Sequence, residues 1–364
     1  MRGRTLQRYF AWRFFGAVMA VFASVFVLVA MIDYVELMRR TADLPNVSAW
    51  TVAETSFLRV PQITERVMPF SVLIGAMICY LSLSRRLELV VARSAGMSVW
   101  QFIMPAVLVA LLLGLVATFV YNPISASLDE QSKRLETQIF GEKVSNSAFS
   151  TGGSFWMTQR NKSGHSILNA TTSLQQGSVL GGVTTLQFDA AGRFVERVEA
   201  RRAILEPGHW RLQDARIYSI NAAPVGPGEY LLDTTLTPEQ VRESFATPET
   251  VAFWNLPDYI ERAEHLGLAA AAYRLHYQKL LARPFLLAAM VFLAAAVSLR
   301  FFRLGGIQKM VLGGVFAGFL LYVLSKVVDD LSKADLMHPV AAAWLPVLVG
   351  GLTGFVALLY QEDG

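Results

Sequence analysis

Reactive and charged side chains are scarce in this chain. There is one cysteine, Cys79, so no disulfide can close within it, and Cys79 sits in an apolar run where a small core residue is expected. The five histidines stand apart from one another, without the spacing of a metal site, and His209 in a turn reads as ordinary surface. No GxxxxGK[ST] phosphate loop, HExxH or GxSxG is present, so the sequence does not read as an enzyme, and any role driven by ATP requires a separate ATPase chain. Charged residues make up only 16% of the chain and the net charge is +4, with no long basic run, which leaves no footing for nucleic-acid binding.

Apolar residues are what is present: 54% of 364, with a positive mean hydropathy, the composition of a polytopic membrane protein. Six runs are long enough to cross a bilayer, at about Phe14 to Ile32, Val60 to Leu83, Val99 to Val120, Pro284 to Leu299, Met310 to Val328 and Pro339 to Tyr360. The first has a basic flank like a signal peptide, but it is longer than a signal core and has no small-x-small cleavage pattern, so a retained helix is expected. Asp33 to Arg59 reads as a polar connection. Pro61 and Pro69 fall near the start of the second span, where missing backbone donors are best tolerated.

From about Asn122 to His265 the pattern changes to short alternating runs broken by Gly, Pro, Asn and Asp, which predicts an extramembrane β domain. Its entry, Ile124 to Phe140, and its exit, from Leu256, read as helical. DAAG (Asp189 to Gly192) and EPGH (Glu206 to His209) are expected hairpin turns, and about eight strands suggest a sandwich or jellyroll. The organisation is therefore residues 1–121 with three spans, 122–265 with the β domain, and 266–364 with three more spans.

Basic residues orient the chain. Arg2, Arg4, Arg8 and Arg13, the loop cations Arg85, Arg86 and Arg93, and Arg300, Arg303 and Lys309 fall on one side, predicted cytoplasmic together with both termini. Fewer short-loop cations, mainly Arg39, Arg40, Arg59 and Lys333, fall on the β-domain side. Arg274, Lys279 and Arg283 run against the rule.

Three places are candidate sites. Residues 84–98, within SRRLELVVARSAGMSVW, interrupt two apolar spans yet carry an apolar stripe, Leu87, Val90 and Val91. One reading lays this helix on the inner leaflet with Arg85, Arg86 and Arg93 on headgroups. The other seats it in a partner's groove, with Glu88 offered to a partner cation, small Ala92, Ser94 and Ala95 permitting close approach, and Gly96 closing the helix in a left-handed cap. The outer end of the first span carries Asp33, Glu36, Arg39 and Arg40. There the arginines either snorkel and pair with the carboxylates one turn away, or form a clamp for anionic lipid. Gly314 and Gly318 have GxxxG spacing, suited to close helix crossing at a partner or gate, and Lys326, Asp329 and Asp330 follow at the outer end of that span.

The chain resembles the LptF/LptG family of lipopolysaccharide export permeases. The resemblance covers its whole length and is carried by VPQITERVMPFSVLIGAM and RRLELVVARSAGMSVWQF, by LTPEQ after the β runs, and by RLGGIQKMVLGGVFAGFLLYVLSK. ELVV-x-x-SAG is closer to the LptG branch. The resemblance implies six transmembrane helices, three plus three, flanking a periplasmic β-jellyroll in the inner membrane. It further implies an LptF-type sister permease, an LptB-type ATPase dimer that uses ATP and Mg, an LptC-type single-span protein and an LptA-type bridge. On it, residues 84–98 are the coupling helix with its acidic residue at Glu88, and Arg39 and Arg40 match lysines of the lipid cavity. Asp33 stands where the family commonly has a cation, implying a differently decorated lipid A. The other architectures to weigh are a lipoprotein-release-type ABC permease, which places its outer domain between the first two of four helices, and a membrane scaffold.

Overall fold

The computed structural model describes residues 2–42, 47–94, 96–149, 155–161, 164–174, 178–189, 192–219, 223–234, 247–265, 270–303 and 307–362. Among the described residues, six helices are long and apolar enough to cross a membrane: α1 (Arg2–Thr41), α2 (Ala49–Arg85), a rod that starts with α4 (Val99–Val116), α7 (Ala271–Arg303), α8 (Ile307–Lys333) and α9 (Pro339–Glu362). Between α2 and the rod lies the short α3 (Glu88–Ser94). The rod begins as α4 (Val99–Val116), passes through a π-helical turn (Ala117–Tyr121) and continues as α5 (Asn122–Phe149); α6 (Leu256–His265) follows the β region.

The helices outrun the apolar segments that predict them. The connection expected over Asp33 to Arg59 is mostly helical, because its charges are paired between helices and Ser48 caps α2 by accepting from the Trp50 N–H at 3.2 Å. Pro61 and Pro69 consequently lie inside α2 rather than near its start. At the other end of the chain, α7 continues as helix on both sides of Pro284.

The helices share one apolar core. Phe14 of α1, Leu73 and Tyr80 of α2, Phe102 and Ile103 of α4, and Leu287 and Val291 of α7 are fully or almost fully buried in it. At about 1.5–3 kcal/mol per large apolar side chain removed from water, such a core would dominate a soluble fold. Within a bilayer, close packing takes over that task, and glycines admit it: Gly75 faces the Val18 backbone of α1.

Among the described residues, six strands, β1 (Phe155–Asn161), β2 (Gly164–Leu174), β3 (Val179–Asp189), β4 (Phe194–Glu206), β5 (His209–Ser219) and β6 (Val225–Asp233), pair antiparallel in chain order. Where about eight short strands are expected, the described strands are long, β4 reaching 13 residues. Both expected turns are present at their described residues: the Gly192 N–H donates to the Asp189 carbonyl, and Glu206 pairs with His209 across Gly208 at φ +85°. LTPEQ lies outside the described residues.

Inward residues alternate along β3, β4 and β5, but the alternation slips by one residue midway. Leu180 gives way to Val183 and Thr185, Ala200 to Ala203, and Leu212 to Ala215. Left-handed backbone at Gly182 (φ +61°), Asp214 (φ +56°) and Gly228 (φ +81°) lies along this line, so the slip is a crease running across the sheet. Trp210, Leu168, Leu180 and Leu212 fill a second core, separate from that of the membrane helices.

Candidate functional site: the α2–α4 loop and the helix-end charge clusters

The loop between α2 and α4 is a capped helix tied to the bundle. The N–H of Arg86 reaches the Ser82 carbonyl at 3.1 Å and closes α2, and the Leu87 N–H reaches that of Ser84 at 3.0 Å. Leu87 then adopts φ +59°, a left-handed conformation that costs a non-glycine residue about 1–3 kcal/mol. Its carbonyl accepts the Val91 N–H at 3.0 Å, which starts α3. At the far end Gly96 has φ +85° and the Met97 N–H donates back to the Ala92 carbonyl at 3.1 Å, the bond of a Schellman cap. The left-handed closure expected at Gly96 is present.

The apolar stripe divides differently from the sequence reading. Leu87 precedes the first turn instead of lying within the helix, because the chain must reverse after Arg86. Leu87 and Val91 point outward, 58% and 64% exposed, while Leu89 and Ala92, spaced i, i+3, are buried in the membrane-helix core. The sequence reading left out Leu89. The side chains of Val90 and Arg93, and residue 95, lie outside the described ones; Arg85 and Arg86 are exposed.

Glu88 is already engaged within the chain. Its Oε1 accepts from the Tyr9 hydroxyl at 3.3 Å and lies 3.6 Å from the Arg13 guanidinium, whose Nε donates to the same Tyr9 oxygen at 3.0 Å. The first turns of α1 therefore brace the start of α3. The carboxylate stays partly open, with 27% of the side chain exposed.

The group Asp33, Glu36, Arg39 and Arg40 near the end of α1 splits in two. Glu36 takes both arginines, Arg39 through two hydrogen bonds of 3.0 Å and Arg40 through one of 2.8 Å. One carboxylate facing two guanidiniums leaves an excess positive charge, and both arginines remain exposed. Asp33 turns the other way, 6% exposed, to Arg59 of α2 at 2.8 Å and the Ser56 hydroxyl at 2.8 Å; Arg59 also binds Glu136 of α5. Asp33 thus lies between α1 and α2, away from the Arg39 and Arg40 pair. Its partners stand 23 or more positions away, so spacing along one helix could not reveal them.

Gly314 and Gly318 do serve a close crossing, but within the chain. A Cβ at Gly314 would meet Met77, and one at Gly318 would come 2.6 Å from Leu73, both on α2. Near the C-terminal end of α8, Asp329 pairs with Lys279 of α7 at 2.6 Å and Asp330 with Lys326 at 3.4 Å.

Comparison with known proteins matches residues 8–360 to the profile described as "Lipopolysaccharide export system permease LptF/LptG". The chain is 22% identical over 350 residues to the lipopolysaccharide export system permease protein LptG of Escherichia coli K12, covering 94% of each chain. It is 23% identical over 358 residues to the protein of that name from Haemophilus influenzae, covering 95% of each.

Proposed function

Because the chain belongs to the LptF/LptG family of lipopolysaccharide export permeases, we propose that it lifts lipopolysaccharide out of the inner membrane as one of two permease subunits, beside an LptF-type sister. It is a multi-pass inner-membrane transport subunit. An LptB-type ATPase dimer supplies the work, using ATP and Mg that this chain does not itself bind. An LptC-type single-span protein and an LptA-type bridge receive the lipid from the β region.

The observation that carries the coupling role is α3: capped at Gly96, anchored by Leu89 and Ala92, braced by Tyr9 and Arg13, and presenting Leu87 and Val91 outward. A helix this short transmits force only if both ends are held. The outward pair suits an apolar groove, with Glu88 beside it for a partner cation. ATP-driven closure of the partner would then move α3 together with α1 and α2, collapse the lipid space and drive the lipid toward the sheet. Each CH₂ exposed on the way would cost about 0.8 kcal/mol, so the route must be covered. The excess positive charge at Arg39 and Arg40 suits phosphate on lipid A.

The orientation follows the basic residues, with the α2–α4 loop and both termini cytoplasmic and the β region periplasmic. Arg274, Lys279 and Arg283 each have a carboxylate partner, Glu264, Asp329 and Glu65, so they weigh less as free cations on the outer side. The full-length family match does not favour the scaffold or the lipoprotein-release architecture.

The test is co-purification of the ATPase with variants of the outward face. Leu87→Asp with Val91→Asp, and separately Glu88→Lys, should lose the ATPase and lipid export while the six helices remain inserted. Retained association and export in both would sink the assignment of α3.

A further inference from the structure

Where the membrane helices meet the outer region, two helical rods carry backbone defects at one level, and each defect is mended by another element. In α7, Pro284 has no N–H to give to the Leu280 carbonyl four residues back. That carbonyl instead accepts the Thr118 hydroxyl, at 2.9 Å, from the π-helical turn of the α4–α5 rod. Gly114, one turn below Thr118, lets the rod close onto the Pro284 backbone, where a Cβ would collide. Inside the rod, Pro123 offers no N–H just after the π turn, and within that turn the Phe119 carbonyl accepts the Trp254 indole N–H at 3.3 Å.

A buried charge cluster closes the same level. Glu65 of α2, 4% exposed, pairs with Arg283 of α7 at 2.6 Å. It accepts the Asn122 amide at 2.8 Å and the Ser125 hydroxyl, both from α5. Arg283 also reaches the Ala117 carbonyl of the π turn at 3.4 Å. The Asn122 Oδ1 accepts the Phe253 N–H at 3.0 Å, which brings in the segment returning from the outer region. A buried ion pair is poor evidence of stabilisation, since apolar packing does as well. A side-chain bond across two interrupted helices is different, because it holds them in register while each keeps a point of weakness.

We propose that Thr118, Pro284, Glu65 and Arg283 form a hinge on which α7 and the α4–α5 rod bend together. They are positioning residues: largely buried between the helices, they link movement of the membrane helices to α5 and the Phe253 segment, the two stalks that bound the sheet in the chain. The functional part rests on the lipid-export reading above; the structural part does not.

The experiment is a double-mutant cycle on the purified permease–ATPase complex with Thr118→Val and Pro284→Ala. Thr118→Val alone strands the Leu280 carbonyl and should lower the melting temperature. In the Pro284→Ala background the backbone N–H restored at position 284 takes that carbonyl, so the same change should cost less than about half as much. An equal cost in both backgrounds overturns the mutual repair. In vesicles containing lipopolysaccharide, Pro284→Ala should keep its assembly and ATPase rate yet transfer about tenfold less lipid per ATP to an acceptor protein. Wild-type transfer per ATP overturns the hinge, and so does a Pro284→Ala complex that fails to assemble, since a restored helical bond must not harm folding. Absence of transfer by the unmutated complex would instead refute the export reading, and the melting cycle would still judge the joint.

Discussion

Among single residues, two positions separate stability from function. Leu87 holds a left-handed conformation with its side chain exposed, an arrangement that folding alone does not favour. Leu87→Gly should therefore leave the melting temperature unchanged or raise it, while weakening ATPase capture about tenfold, as loss of a buried leucine contact would. Unchanged capture in a titrated pull-down would show that Leu87 faces no partner. Gly96 is the complementary case, since a Cβ there meets nothing within 4 Å and only its φ of +85° resists substitution. Gly96→Ala should destabilise the α3 cap by about 1 kcal/mol, seen as faster hydrogen exchange at Met97 with the rest of the bundle unaffected. Arg59 bears on stability. It binds Asp33 and Glu136 and so ties α1, α2 and α5 together. Arg59→Ala leaves Asp33 buried without its cation and should lower stability by about 3 kcal/mol, whereas Arg59→Ala with Asp33→Ala should recover most of that loss. Thermal unfolding of both variants in detergent checks it; equal losses would mean that Asp33 gains nothing from the pair.

Between elements, α8 lies against α2 through Gly314 and Gly318, which face Met77 and Leu73. Gly314→Ala should overpack this crossing by about 1–3 kcal/mol, and Met77→Ala, harmful alone, should relieve it in the double variant. Additive losses in melting experiments would place α8 elsewhere. This contact shows the limit of reading a motif by itself. GxxxG announces that something approaches the helix closely, but identical spacing serves a neighbour in the same chain or a second subunit. The stripe Leu87, Val90 and Val91 has the same weakness: a reversal of the chain at Leu87, invisible to periodicity, moved the start of the helix and gave Leu89 the inward position.

Across the molecule, the membrane bundle and the creased sheet have separate cores. Trp210→Ala, removing a fully buried indole, should destabilise the sheet by about 3–5 kcal/mol. Protease nicking within 155–233 should then precede any loss of the helices; simultaneous loss of both would mean one cooperative unit.

Short windows of sequence were enough to set the six spans, the β region between the third and fourth, the turns at Asp189 and Gly208, the cap at Gly96 and the family. Hydropathy is written over some twenty residues and a turn over about four, so neither needs a distant partner to be read. Packing settled the rest: that Asp33 answers to Arg59, that Glu88 is braced by Tyr9 and Arg13, and that Thr118 mends the break made by Pro284. Tyr9 and Glu88 stand 79 positions apart, and Thr118 and Leu280 stand 162 apart, beyond the reach of any local pattern. Buried charges and orphaned carbonyls are satisfied by whichever group the packed helices bring within hydrogen-bonding distance, and that choice belongs to the fold as a whole.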